Sequence, residues 1–174
     1  MHHRDWNRLH NIVVQSVQAV LSDVGIHVRN KGMVTPSEAQ WAETISIIGF
    51  GGPSLQGSIS LSIPHAVLRR FHPTGAEDSS LLVDWQAELA NLVVGRLKGG
   101  LLVFGVETEV STPLAILGNE LRYRRFSGLP IVQHFEFENS ALHVMFEGLS
   151  DTKVALSEDE DASAKIPNGD VVLF

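Results

Sequence analysis

The chain has no cysteine among its 174 residues. That excludes a disulfide framework and thiolate chemistry, and fits a reducing cytoplasm. It also lacks any apolar run near the ~18 residues a membrane span needs, and Met1 to Asp5 are too polar for a signal-peptide core. Positive charge is scarce: 13 Lys and Arg against 20 Asp and Glu leave a formal charge of −7. The basic stripe that phosphate contacts require is missing, so nucleic acid is not an expected partner. The one basic cluster, Arg122, Arg124 and Arg125, reads as a solvated strand face. Eight histidines are present, yet no HExxH and no His/Asp set at ligand spacing occurs. The nearest approaches are His65/His72, seven apart, and His134/His143, facing across a hairpin, and no metal site is expected. What remains is ordinary globular composition, 44% hydrophobic and 19% charged, in a length that fills one core or two half-size units sharing one.

Apolar residues at Trp6, Leu9, Val13, Val17, Val20 and Val24 recur at helical spacing, so a helix is predicted over 4–24, with Gly25 as its stop. A short strand at Ile26 to Arg29 follows. Between Thr44 and Ile63 the period changes to two, with Ile59, Leu61 and Ile63 alternating with serines, and Phe50-Gly51-Gly52-Pro53 supplies a hairpin turn. Pro64 and Pro73 bracket a short helix. Asp78, Ser79 and Ser80 offer caps for a second long helix reaching about Lys98, with Gly99-Gly100 expected to weaken or kink its last stretch and Gly105 to mark the end. Strands are predicted at Val106–Ser111, near Leu114–Leu117, around Arg122, and in a hairpin joining Val132–Phe137 to Leu142–Phe146. Ser157 to Asp161 is an acidic run, and Val171 to Phe174 reads as a docked edge strand.

Shifting the chain by 80 residues lays LHNIVVQSVQAVLSDVG (9–25) over LANLVVGRLKGGLLVFG (89–105). Leu9, Asn11, Val13, Val14, Leu21 and Gly25 meet Leu89, Asn91, Val93, Val94, Leu101 and Gly105. Each segment is followed by strands and a hairpin. The reading is an internal duplication: an α+β fold in which two long helices pack on an antiparallel or mixed sheet. One domain would span 1–150, with halves near 4–75 and 78–150, and residues 151–174 would form an acidic tail.

Asparagine is a poor interior helix residue, so Asn91 in the second helix invites explanation. On a wheel advancing ~100° per residue with Asp84 at zero, Glu88 falls near +40°, Asn91 near −20°, Gly95 near +20° and Lys98 near −40°. Leu82, Leu89 and Val93 lie at the opposite pole. Asn91 therefore stands on an exposed polar stripe beside Glu88, and Gly95 leaves the surface bare for a second backbone to approach. The bland reading is a solvated helix face, with Asp84 suited to the helix start.

The longer pattern is more specific. Asp84, Glu88, Asn91, Gly95, Lys98, Gly105 and Ser111-Thr112-Pro113 resemble the CheC/CheX family of chemotaxis phosphatases, from the first helix to the second hairpin. The resemblance implies a CheC-like fold and a phosphatase acting on the phosphoaspartate of a CheY-like response-regulator receiver domain. It implies that Glu88 and Asn91 enter the receiver's active site, with Asp84, Gly95 and Lys98 at the contact. No cofactor is expected in the chain itself, since Mg²⁺ would come from the receiver. Asn91 could hold a water in line with phosphorus, because a carboxamide both donates and accepts hydrogen bonds. Glu88 would pair with the receiver lysine. Arg8 stands where Glu88 stands in the second half, so the first-half site, Arg8 and Asn11, reads as degenerate, a CheX-like rather than CheC-like arrangement. Arg96 after Gly95 departs from the family pattern but lies off the stripe. The relatives also suggest a homodimer, through sheet edges, and a cytoplasmic location. The alternative is a module of the same fold that binds a receiver or signalling partner without hydrolysis.

Overall fold

The period-two runs of the sequence assemble into one seven-stranded sheet, and the two long helices lie together on one of its faces. The structure, a computed structural model, describes residues 3–119, 121–122 and 130–149. In chain order the elements are α1 (His3–Asp23), β1 (Arg29–Val34), β2 (Thr44–Gly51), β3 (Gln56–Ser62), α2 (His65–Phe71), α3 (Ser79–Leu102), β4 (Glu109–Val110), β5 (Leu114–Leu117), β6 (Ile131–Phe137) and β7 (Ser140–Leu149).

The strand order is β1-β6-β7-β3-β2-β4, with β5 also on β2. Leaving out the two-residue β4, the path β1-β6-β7-β3-β2-β5 becomes its own reverse when β1, β2 and β3 are exchanged for β5, β6 and β7. That is the symmetry of a duplicated helix-plus-strands unit, with β3 and β7 paired at the centre. All the pairings are antiparallel, so nothing in the described sheet is mixed.

Alternation within each strand separates two faces. Ile48, Ile59, Leu61, Phe135, Leu142, Val144 and Phe146 point at the helices. There they meet Leu9, Val13, Val17 and Leu21 of α1 and Leu82, Leu89, Val93 and Leu97 of α3, all in one buried cluster. Each large aliphatic chain buried this way stabilises the fold by ~1.5–3 kcal/mol before entropy is counted. On the other face the connection from β1 to β2 must cross three strands. It does so as a strap, with Ala42 N–H donating to Ser62 Oγ at 2.9 Å and Trp41 tilted against His143.

Four local expectations change. The first strand begins at Arg29 rather than Ile26, because Ile26 belongs to the end of α1: Gly25 takes φ +87°, and the Ile26 N–H donates to Leu21 O at 2.8 Å while its side chain enters the core. This is the six-to-one closure of a Schellman turn. The second helix runs past Lys98 to Leu102 and stays helical through Gly99-Gly100, ending shortly before Gly105, whose φ is +69°. Gly100 is there because a Cβ at that position would stand 2.6 Å from Ile12 Cγ2 of α1, so the glycine permits close helix contact. The strand expected over 106–111 is confined to Glu109–Val110. Arg122 lies in no strand, while Arg124, Arg125, the acidic run and Val171–Phe174 fall outside the described residues.

Candidate functional site

Helix α3 is capped where its sequence proposes: Asp78 Oδ1 accepts from the Ser80 hydroxyl and from Ser80 N–H, both at 2.7 Å, and these bonds, the hydroxyl's first, hold the Asp78 carboxyl below its ordinary pKa. Its buried positions are Leu82, Gln86, Leu89, Ala90, Val93, Val94, Leu97 and Leu101, an arc of roughly 140° around the axis. Asp84, Glu88, Asn91, Gly95 and Lys98 fall on the opposite side, and all five are exposed. At Gly95 an added Cβ would meet nothing within 4 Å, so the backbone there is open to an approaching molecule.

The stripe is convex. A convex helix face cannot enclose a small substrate, but it can enter a concave site on another macromolecule. Within it, Glu88 and Asn91 are helical neighbours three residues apart, which brings their Cβ atoms to about 5–6 Å. The ionised Glu88 carboxylate accepts hydrogen bonds and donates none; the Asn91 carboxamide both donates and accepts. That pair can grip a cation and orient a water side by side.

On α1, Asn11 is exposed and Arg8 is half-buried, with the Arg8 guanidinium 5.9 Å above the Phe104 ring. The carboxylate of the second half thus has an arginine as its counterpart in the first. Arg96 pairs with Asp23 of α1, away from the stripe, and with the Gly100–Ile12 contact this ties the two helices together.

One residue of the site region escapes the apolar-period reading. Gln86, wholly buried, lies about 160° from Glu88 and 140° from Asn91 around the helix. Its Nε2 donates to Leu61 O at 3.0 Å and Thr44 O at 3.1 Å, and its Oε1 accepts from Ile63 N–H at 3.2 Å. A polar residue among Leu82, Leu89 and Val93 on the buried arc was the available signal.

His134 and His143 do face each other across β6 and β7. Their rings stack at 26°, so the pair presents ring faces rather than converging nitrogens. Burial pushes the His143 pKa down to about 4, the facing His134 adds to this, and a hydrogen bond with the Gln40 backbone opposes it. His65 is instead buried against Thr44, Nε2 to Oγ1 at 2.7 Å. Among the described residues no group of three or more His, Cys, Asp or Glu comes together to hold a metal, and no helix is long and apolar enough to cross a membrane.

The family model described as chemotaxis phosphatase CheX matches residues 44–136, more than half of the chain and all of α3. No curated protein matches the sequence. Among solved structures, a CheC-like superfamily protein from Shewanella sp. PV-4 is similar at 19% identity and TM-score 0.73, over 86% of this chain and 100% of its own. The chemotaxis protein CheX of Vibrio vulnificus is similar at 17% identity and TM-score 0.72, over 81% of this chain and 99% of its own. A chain from the CheX-CheY-BeF3-Mg+2 complex of Borrelia burgdorferi is similar at 16% identity and TM-score 0.65, over 79% of this chain and 96% of its own. At these identities the likeness is one of fold, and the fold is CheC-like.

Proposed function

Because the chain belongs to the chemotaxis phosphatase CheX family, we propose that it hydrolyses the phosphoaspartate of a CheY-like receiver domain through Glu88 and Asn91. The observation that carries this reading is their joint exposure on one convex face of α3, with Gly95 bare one turn beyond Asn91. The partner class is supported by the similar fold of a protein whose structure is titled as a complex with CheY.

An acyl phosphate is reactive already. Its leaving group is a carboxylate whose conjugate acid has a pKa near 3.9, so no general acid is needed to expel it. A loose phosphoryl transition state asks mainly for a nucleophile in line and for charge neutralisation. Asn91 accepts a hydrogen bond from the attacking water through Oδ1 and donates from Nδ2 to a phosphoryl oxygen. The water oxygen bonds to phosphorus, the bond from phosphorus to the aspartyl oxygen breaks, and the water protons end on inorganic phosphate. Glu88 faces the receiver lysine and sets the register of docking. Charge neutralisation at the phosphoryl group falls to Mg²⁺ held by the receiver, not to a group of this chain. Asp84 and Lys98 flank the contact. In the first half Arg8 would repel that lysine, so the Arg8/Asn11 position is inactive.

The same reading takes the chain to be a cytoplasmic homodimer. Among the described residues β5 pairs only with β2, and its Leu114, Ile116 and Leu117 are 60%, 41% and 59% exposed. An apolar edge strand left open is an aggregation hazard, and a second copy laid along it would remove the hazard.

Decay of a phosphorylated receiver with catalytic amounts of the chain tests the activity. Faster decay, with one receiver turned over many times per chain, is expected. Binding without acceleration would instead establish a docking module of the same fold.

A further inference from the structure

The buried face of α3 is otherwise apolar, and apolar contacts are non-directional. They hold a helix against a sheet without a directional bond to it, and Arg96 and Gly100 tie α3 to α1 rather than to the strands. Gln86 supplies that bond. The β2–β3 ladder pairs Ser46 with Leu61; two residues further, in the same register, Thr44 would face Ile63. The Gln86 amide occupies that rung. It donates to Thr44 O and Leu61 O and accepts from Ile63 N–H, so a side-chain amide stands in for the peptide group that would complete the ladder. Ser46 Oγ is a further contact at 3.4 Å. Three main-chain groups, on β2, on β3 and on the residue just past β3, thereby fix one residue of α3 in height and in rotation, five residues before Asn91.

We propose that Gln86 is the positioning residue of the site, setting the rotational phase of α3 that presents Glu88 and Asn91 to the receiver. The inference rests on the reading of those two residues as the reacting pair. A helix side chain ends ~5–6 Å from the axis, so a turn of about 15° would carry the Asn91 amide through ~1.5 Å. Misplacement of a catalytic group by ~1 Å can cost about a hundredfold in rate.

The test compares Gln86→Met, which keeps the shape and loses the bonds, with Val17→Ala in α1, a buried change remote from the stripe, at a temperature where both are folded. Gln86→Met is expected to lower kcat for phosphoreceiver decay at least tenfold with KM changed less than threefold, and Val17→Ala to keep kcat within twofold. A folded Gln86→Met with kcat within twofold of wild type overturns the proposal. Gln86→Glu supplies a second readout. Its carboxylate accepts from Ile63 N–H but cannot donate to either carbonyl until protonated, so its kcat relative to wild type should rise at least threefold from pH 8.5 to pH 6. A flat ratio in the folded variant overturns it, as does failure of both variants to fold, which would make Gln86 a folding residue only. Full activity in Asn91→Ala would instead remove the underlying reading, whatever Gln86 does.

Discussion

His134 and His143 are direct cross-strand partners in β6 and β7, with ring centroids 5.0 Å apart, and His143 is 3% exposed beneath the Trp41 strap. The folded protein therefore holds His143 neutral, with a pKa of about 4 against ~6.5 in the unfolded chain. A depressed folded pKa means the stabilisation is complete above pH 6.5 and is lost as pH falls toward 4. The loss is of order 1–3 kcal/mol. The melting temperature of the wild type should drop more steeply between pH 7 and pH 5 than that of His143→Gln. Glu136, lowered by Lys31, and Glu38, lowered by Thr35, lose their contributions only at more acidic pH. Parallel melting curves for the two proteins would show that His143 is not the group responsible.

Much of this fold is written in periodicity. The two long helices follow from apolar spacing, because each buries one arc and solvates the other. The Glu88/Asn91 stripe is legible for the same reason: it is the polar complement of that arc. What escapes is whatever depends on contacts distant in sequence. Strand β1 has no apolar alternation; it is placed by its antiparallel ladder with β6, across which Arg29 and Lys31 pair with Glu136, and a register shift between Asn30 and Gly32 breaks its period. Gly100 reads as a helix breaker until Ile12 is seen against it. Gln86 looks like a misplaced polar residue until the rung between Thr44 and Ile63 is known.

The glycines of α3 separate stability from docking. Replacing glycine by alanine inside a helix gains ~1 kcal/mol in propensity, and at Gly95 and Gly99 nothing opposes the new methyl group. Both variants should melt about 2–4 °C higher. Gly95→Ala should nevertheless slow receiver dephosphorylation, because it fills the bare surface beside Asn91. Gly100→Ala should melt below Gly99→Ala, since its methyl group meets Ile12. Calorimetry with decay assays on all three variants checks the ordering, and equal melting points at 99 and 100 would contradict the helix contact.

Glu88 is expected to act on binding. Glu88→Ala should weaken receiver affinity by up to a few kcal/mol, the range for loss of a buried charged pair, and Glu88→Lys should be worse, because it sets a cation against the receiver lysine. Neither should shift stability by more than about 0.5 kcal/mol, since the position is exposed on the helix. Titration of receiver binding measures this, and an affinity unchanged in Glu88→Lys would contradict the assigned role.

The β5 edge makes a separate claim. Ile116 lies opposite Ile45 in the β2–β5 register and is 41% exposed. Ile116→Lys should convert a dimer to a folded monomer in sedimentation equilibrium, because charge on an edge strand opposes pairing. A wild-type protein already monomeric at tens of micromolar would contradict the dimer.

The most direct measurement is the decay of a phosphorylated receiver with wild type, Asn91→Ala and Asn11→Ala at several concentrations of each, alongside receiver affinity. Asn91→Ala removes the amide and keeps Glu88, the charge of the stripe and a good helix former. Its interaction with the water exists mainly in the transition state, so affinity should stay near wild type while kcat falls by two orders of magnitude or more. Asn11→Ala should behave as wild type, because the first-half position has Arg8 in place of the carboxylate. Undiminished decay with Asn91→Ala would contradict the mechanism.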